Sequence, residues 1–105
     1  MKKVCLIALL FPLAAFAADA DYVLVIREHR FQPAELKIPS GQKVKLRVDN
    51  QDDTPEEFDS YELNREKVIT GHGSAMLYIG PLDTGRYKFM GEFNQATAQG
   101  AIVAE

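Results

Sequence analysis

Along this chain apolar residues alternate with polar ones far more often than they recur at helical spacing. Val44, Leu46 and Val48 stand between Lys43, Lys45, Arg47 and Asp49, the period-two pattern of a half-buried strand. Tyr87, Phe89, Gly91 and Phe93 alternate in the same way with Arg86, Lys88, Met90 and Glu92. Tyr22–Arg27, dense in β-branched residues, predicts a first strand, and Glu35–Ile38 and Glu57–Ser60 predict shorter ones. Ala75, Leu77 and Ile79 line one face of a later run, and Ala101–Ala104 closes the chain. Tyr61–Ile69 is mixed: E-L-N-R-E-K predicts a helical turn before Lys67–Ile69 extends. Pro39-Ser40-Gly41, Asn50–Pro55, Gly71-His72-Gly73, Pro81–Gly85 and Asn94–Gln99 punctuate these runs. Strands at intervals of about eight to twelve residues predict an all-β, Greek-key β-sandwich of about seven to eight strands. Val44, Leu46, Val48, Phe58, Leu77, Ile79, Tyr87, Phe89 and Ile102 are its expected core.

The first residues follow a different rule. Lys2 and Lys3 precede the apolar run Val4–Phe16, and Ala15-Phe16-Ala17 is a small-residue cleavage pattern. Residues 1–17 therefore predict a secretory signal peptide, and residues 21–105 a single exported, periplasmic domain. Ala18-Asp19-Ala20 repeats the pattern, so cleavage is expected near Ala17 or Ala20. No membrane span is expected after cleavage. Cys5 is the one cysteine and lies in the apolar run, so the mature domain must hold together by packing rather than by disulfides. Without Lys2 and Lys3, Lys+Arg falls from 12 to 10 against 15 Asp+Glu. That acidic balance argues against nucleic acid and anionic membranes as partners and is compatible with cations. No Ser-His pair, phosphate loop or other hydrolytic or nucleophilic signature is present.

The ending G-R-Y-K-F-M-G-E-F-N-Q-A-T-A-Q-G over Gly85–Gly100, followed by a closing strand, resembles the C-terminal hairpin of cupredoxins. The opening Phe31-x-Pro33, the turn Pro39-Ser40-Gly41, the alternating strand and Asn50-Gln51-Asp52 resemble the phrase that leads to the first copper ligand in that family. A narrower likeness is carried by Pro55–Phe58, Ser60, Glu66-Lys67 and Gly91–Gly100. Together these resemble the small periplasmic cupredoxin-like proteins associated with bacterial high-affinity iron permease systems. The resemblance places Glu56 where a ligand His stands, Gly91 at the Cys, Asn94 at the second His, and Thr97 or Ala98 at the Met. Many members of the narrower group have His where this chain has Asn94.

Type-1 copper needs a thiolate and two imidazoles, and the mature domain has no Cys and only His29 and His72. A blue-copper carrier is therefore not expected. Carboxylates with one imidazole suit iron, with manganese or N/O-bound copper as alternatives. The expected metal site is Glu56, Glu57 and Glu92, with His29 and Met90, gathered at one end of the sandwich, and Glu66 is expected to lie apart from it. The resemblance implies Fe(II) binding or oxidation, a ferroxidase role included. It also implies transfer towards an inner-membrane iron permease or a periplasmic iron-binding protein, from a monomer or weak dimer. Two other readings stay open: a non-metallated protein-docking module, and an N/O-type copper-binding protein.

Overall fold

The computed structural model describes residues 20–105; the expected signal peptide, and Cys5 within it, lie outside the described residues. Nine strands follow in order: β1 Tyr22–Arg27, β2 Arg30–Gln32, β3 Glu35–Ile38, β4 Val44–Asn50, β5 Glu56–Ser60, β6 Arg65–Ile69, β7 Ser74–Ile79, β8 Gly85–Gly91 and β9 Gln99–Ala104. They form two sheets, ordered β2-β1-β4-β7 and β3-β9-β8-β5-β6. The pairs β1/β4 and β3/β9 are parallel and the others antiparallel. These nine strands and the core they enclose are contained in residues 20–105, so this stretch carries its own hydrophobic core. Among the described residues no helix is long and apolar enough to cross a membrane.

Alternation decides which side chains meet between the sheets. β4 buries Val44, Leu46, Val48 and Asn50 and turns Lys45, Arg47 and Asp49 outward. Leu24 and Ile26 of β1 lie beside Val48 and Asn50 in register and join the same layer. At the core's centre Phe58 stacks on Phe89 with centroids 4.9 Å apart, while Phe31 meets Phe89 edge-on at 4.9 Å. This trio ties β2, β5 and β8 together, and such ring contacts add about 0.5–1.5 kcal/mol each beyond area burial.

Three expectations change. Tyr61–Asn64 is a tight turn, and β6 begins directly at Arg65, so the helical turn is absent. Its polar residues take a strand because β6 is an edge that needs only Ile69 inside. Arg30–Gln32 pairs with β1 as an extra short strand. Phe93 leaves the alternation: β8 stops at Gly91, a 3-10 turn spans Glu92–Asn94, and the ring is 52% exposed.

Candidate functional site

One end of the sandwich is built from four loops, β1–β2, β4–β5, β6–β7 and β8–β9, and the start of β5. The β4–β5 loop is shaped by Asn50, whose buried amide donates to the carbonyls of Thr54, Ile69 and Thr70 at 2.9, 3.2 and 3.2 Å. Its Oδ1 accepts from Asp52 N–H at 3.0 Å. A Cβ at Gly71 would stand 2.0 Å from the Asp53 carbonyl, so only glycine lets the β6–β7 turn approach this loop. Asp52 then reaches the β1–β2 turn, accepting from the backbone N–H of Glu28 at 2.8 Å and of His29 at 2.9 Å. Both turn residues have positive φ, 54° and 58°, a left-handed geometry that such anchoring supports. Burial alone would raise the Asp52 pKa. The two backbone donors and the nearby imidazoles of His29 and His72 outweigh it and hold the carboxyl below its ordinary value.

Glu56, first in β5, is only 1% exposed and points inward. Its Oε1 accepts from Glu57 N–H at 2.9 Å and from Phe93 N–H at 2.8 Å, and its Oε2 accepts from Asn94 Nδ2 at 2.8 Å. Asn94 closes the loop as well, its carbonyl accepting from Ala98 N–H at 2.8 Å, while Gly91 N–H donates to the Ala98 carbonyl at 2.8 Å. A Cβ on Gly91 would lie 2.6 Å from the Glu56 carboxyl carbon and Oε2, and 2.7 Å from the Ala98 methyl. The glycine is therefore a space requirement. The carboxylate fills the interior between β5, β8 and the loop, and no buried side-chain polar atom among the described residues lacks a partner.

The five expected site residues are brought only partly together. Glu57 is half-buried on the outer side of β5, within electrostatic reach of Glu92, Asp59 and Glu66. Burial and then the charges of Glu66, Asp59, Glu92 and Glu56 raise its pKa. Glu66, expected apart, is thus a neighbour: it sits opposite Asp59 in the β5–β6 ladder. Glu92 holds Gln95 Nε2 at 3.1 Å. His29 does reach this end, since Thr97 Oγ1 donates to its carbonyl at 2.6 Å, but its ring lies 3.5 Å from Asp52. Met90 faces the outer side of its sheet, opposite Asp59, in a shallow groove of about 450 Å3. Among the described residues no three His, Cys, Asp or Glu side chains are grouped so that they could hold a metal ion.

Asn50 and Asn94 organise the site: Asn94, expected from its loop position to cap the loop through its side chain, sends that side chain to Glu56 and caps the loop through its carbonyl. The Asn50-x-Asp52 turn spacing signalled the first, but its buried carbonyl partners lie across the fold.

The cupredoxin-like domain model matches residues 3–104. The chain belongs to the cupredoxin-like domain family. A protein of Rickettsia prowazekii, itself uncharacterised, is 41% identical over 80 residues; the match covers 76% of this chain and spans 64% of that relative's length. Among solved structures, amicyanin from Paracoccus versutus superposes with a TM-score of 0.64 at 18% identity, covering 84% of this chain and 83% of that one. Auracyanin A, a blue copper protein of Chloroflexus aurantiacus, gives 0.68 at 13% identity, covering 79% of this chain and 96% of that one. These similarities concern the fold. The copper centre the family implies does not fit this member. Gly91 supplies no thiolate and has no room for one, Asn94 supplies no imidazole, and the Glu56 oxygens are engaged by three N–H donors.

Proposed function

We propose that this cupredoxin-like domain works as a docking module of a bacterial iron-uptake system, exported to the periplasm and engaging the membrane iron permease through its loop end. The observation that carries this reading is the Glu56 carboxylate, which uses the ligand position to hold the loop instead of a metal. By binding Phe93 N–H it fixes the backbone beneath an aromatic ring that is 52% exposed. Large rings on a rigid backbone are efficient contact groups because little side-chain entropy is lost when they bind. The iron setting comes from the sequence resemblance. The test is binding of residues 20–105 to a detergent-solubilised high-affinity iron permease of the same organism, measured by surface plasmon resonance. Phe93→Asp is expected to weaken binding about tenfold or more. Absence of binding by the wild type, or an unchanged affinity in the variant, removes the docking role.

A second reading is favoured by the mutual repulsion of Glu57, Asp59 and Glu66 on the outer face of β5 and β6, with Glu92 nearby, which adds to burial in raising the Glu57 pKa: Fe(II) or Mn(II) drawn to this acidic face by its charge rather than held in a preformed ligand cluster. A cation there would relieve the repulsion. Anaerobic melts decide it. Fe(II) should raise the melting temperature with concentration, and Glu57→Gln should reduce the shift while Asp83→Asn leaves it intact. No Fe(II)-dependent shift removes this reading.

A further inference from the structure

The Tyr78 side of one sheet and the β5–β6 half of the other carry opposite charge around exposed apolar residues. On the β2-β1-β4-β7 sheet, Tyr78 of β7 faces outward opposite Lys45, and Met76 lies opposite Arg47. The ammonium groups of Lys43 and Lys45 lie 5.1 and 5.9 Å from the Tyr78 ring centroid. Arg65 Nε donates to the Tyr78 carbonyl at 3.0 Å, bringing a third cation to the same place. On the other sheet the β5–β6 half turns outward Glu57 opposite Val68, and Asp59 opposite Glu66. Tyr78 and Val68 are 49% and 51% exposed. The ion pairs formed among the described residues are His29–Asp52, Arg47–Asp49, His72–Asp53 and Arg86–Glu35. None uses Lys43, Lys45, Glu57, Asp59 or Glu66. Both clusters therefore keep their charge for something outside the fold.

We infer that the basic Tyr78 face of one copy docks on the acidic β5–β6 face of a second copy, so that the domains stack head to tail. Charge complementarity selects this occupant, because each face meets its opposite in the same chain. Self-paired dimers are disfavoured, since a two-fold contact on either face sets like charge against like. The contact is heterologous: the two patches lie on opposite sides of the sandwich, so each bound copy leaves a free face and the stack stays open. Exposed ion pairs are weak singly; the stack draws on several at once and is screened by salt.

Sedimentation equilibrium of residues 20–105 tests this at about 0.01 M and about 1 M NaCl, where the screening length falls from about 30 Å to about 3 Å. At low salt the weight-average mass should climb with concentration to about twice the monomer or beyond, and at high salt it should return to the monomer. Lys43→Glu with Lys45→Glu makes both faces acidic, and Glu57→Lys with Asp59→Lys makes both basic. Each double variant alone should stay monomeric at low salt. An equimolar mixture of the two should associate again, a rescue that misfolding would not give. Three outcomes overturn the inference: a wild type monomeric at low salt, association that persists at high salt, or a mixture that stays monomeric. Low-salt binding of the wild type to phosphatidylglycerol vesicles without self-association also overturns it and assigns the Tyr78 face to a lipid surface.

Discussion

Asn94 Nδ2 donates to Glu56 Oε2 at 2.8 Å, joining two positions where the sequence resemblance places histidine ligands in copper-binding relatives. An amide and a carboxylate hold the loop there by hydrogen bonding. The pair makes a reciprocal prediction. Glu56→Ala leaves the Phe93 N–H and the Asn94 amide without their acceptor and should cost about 3 kcal/mol. Glu56→Gln should cost only about 1 kcal/mol, because the Asn94 amide can turn over and accept from the new NH2. Asn94→Asp sets two carboxylates together and should destabilise by about 2–4 kcal/mol. Adding Glu56→Gln to Asn94→Asp should recover most of that loss. Urea denaturation of the four proteins forms the cycle, and additive losses would refute the pairing.

Gly91 supplies a second prediction. A methyl group there meets the Glu56 carboxyl at 2.6 Å and Ala98 at 2.7 Å. Gly91→Ala should therefore destabilise by about 2 kcal/mol or more. Amide exchange at Phe93 and Ala98, followed by NMR, should rise with it, since the displaced carboxylate releases the loop.

The pH dependence has two components of opposite sign. Asp52 has its folded pKa below the ordinary value of 3.8, so the native state holds its proton less tightly. Its contribution is present above about pH 3.8 and is lost as pH falls through the lower folded value. Asp52→Asn should destabilise at neutral pH, with the difference closing on acidification. Glu57 has its folded pKa above 4.5, so it opposes folding once pH rises past that folded value. Glu57→Gln should stabilise at neutral pH and have no effect well below pH 4.5. Denaturant titrations across the acid range separate the two, and parallel pH profiles in both variants would contradict the assignment.

Copper offers the fourth prediction. One equivalent of Cu(II) added to residues 20–105 should produce no intense thiolate-to-copper absorption in the visible range, because that band requires a Cys ligand. A deep blue protein would show that the donor set has been misread.

Local alternation was enough to expose most of the fold. Val44, Leu46 and Val48 face the core because a strand presents every second residue to one side, and one buried face leaves no freedom in that phase. The same rule pointed Glu56 inward with Phe58, while Glu57, expected to converge with Glu56 and Glu92, lies on the outer side of β5 in the structure. It misled at Phe93, where the strand ends and periodicity loses its meaning. What neighbouring residues could not encode was who meets Glu56. Its donors, Phe93 and Asn94, lie 37 and 38 positions along the chain and reach it only because β5 pairs with β8. The chain alone determined that carboxylate, glycine and asparagine replace thiolate and imidazole. Tertiary structure decided that Glu56 and Asn94 meet in a buried hydrogen-bonded network, because a buried carboxylate must find donors and the loop's N–H groups are the ones within reach.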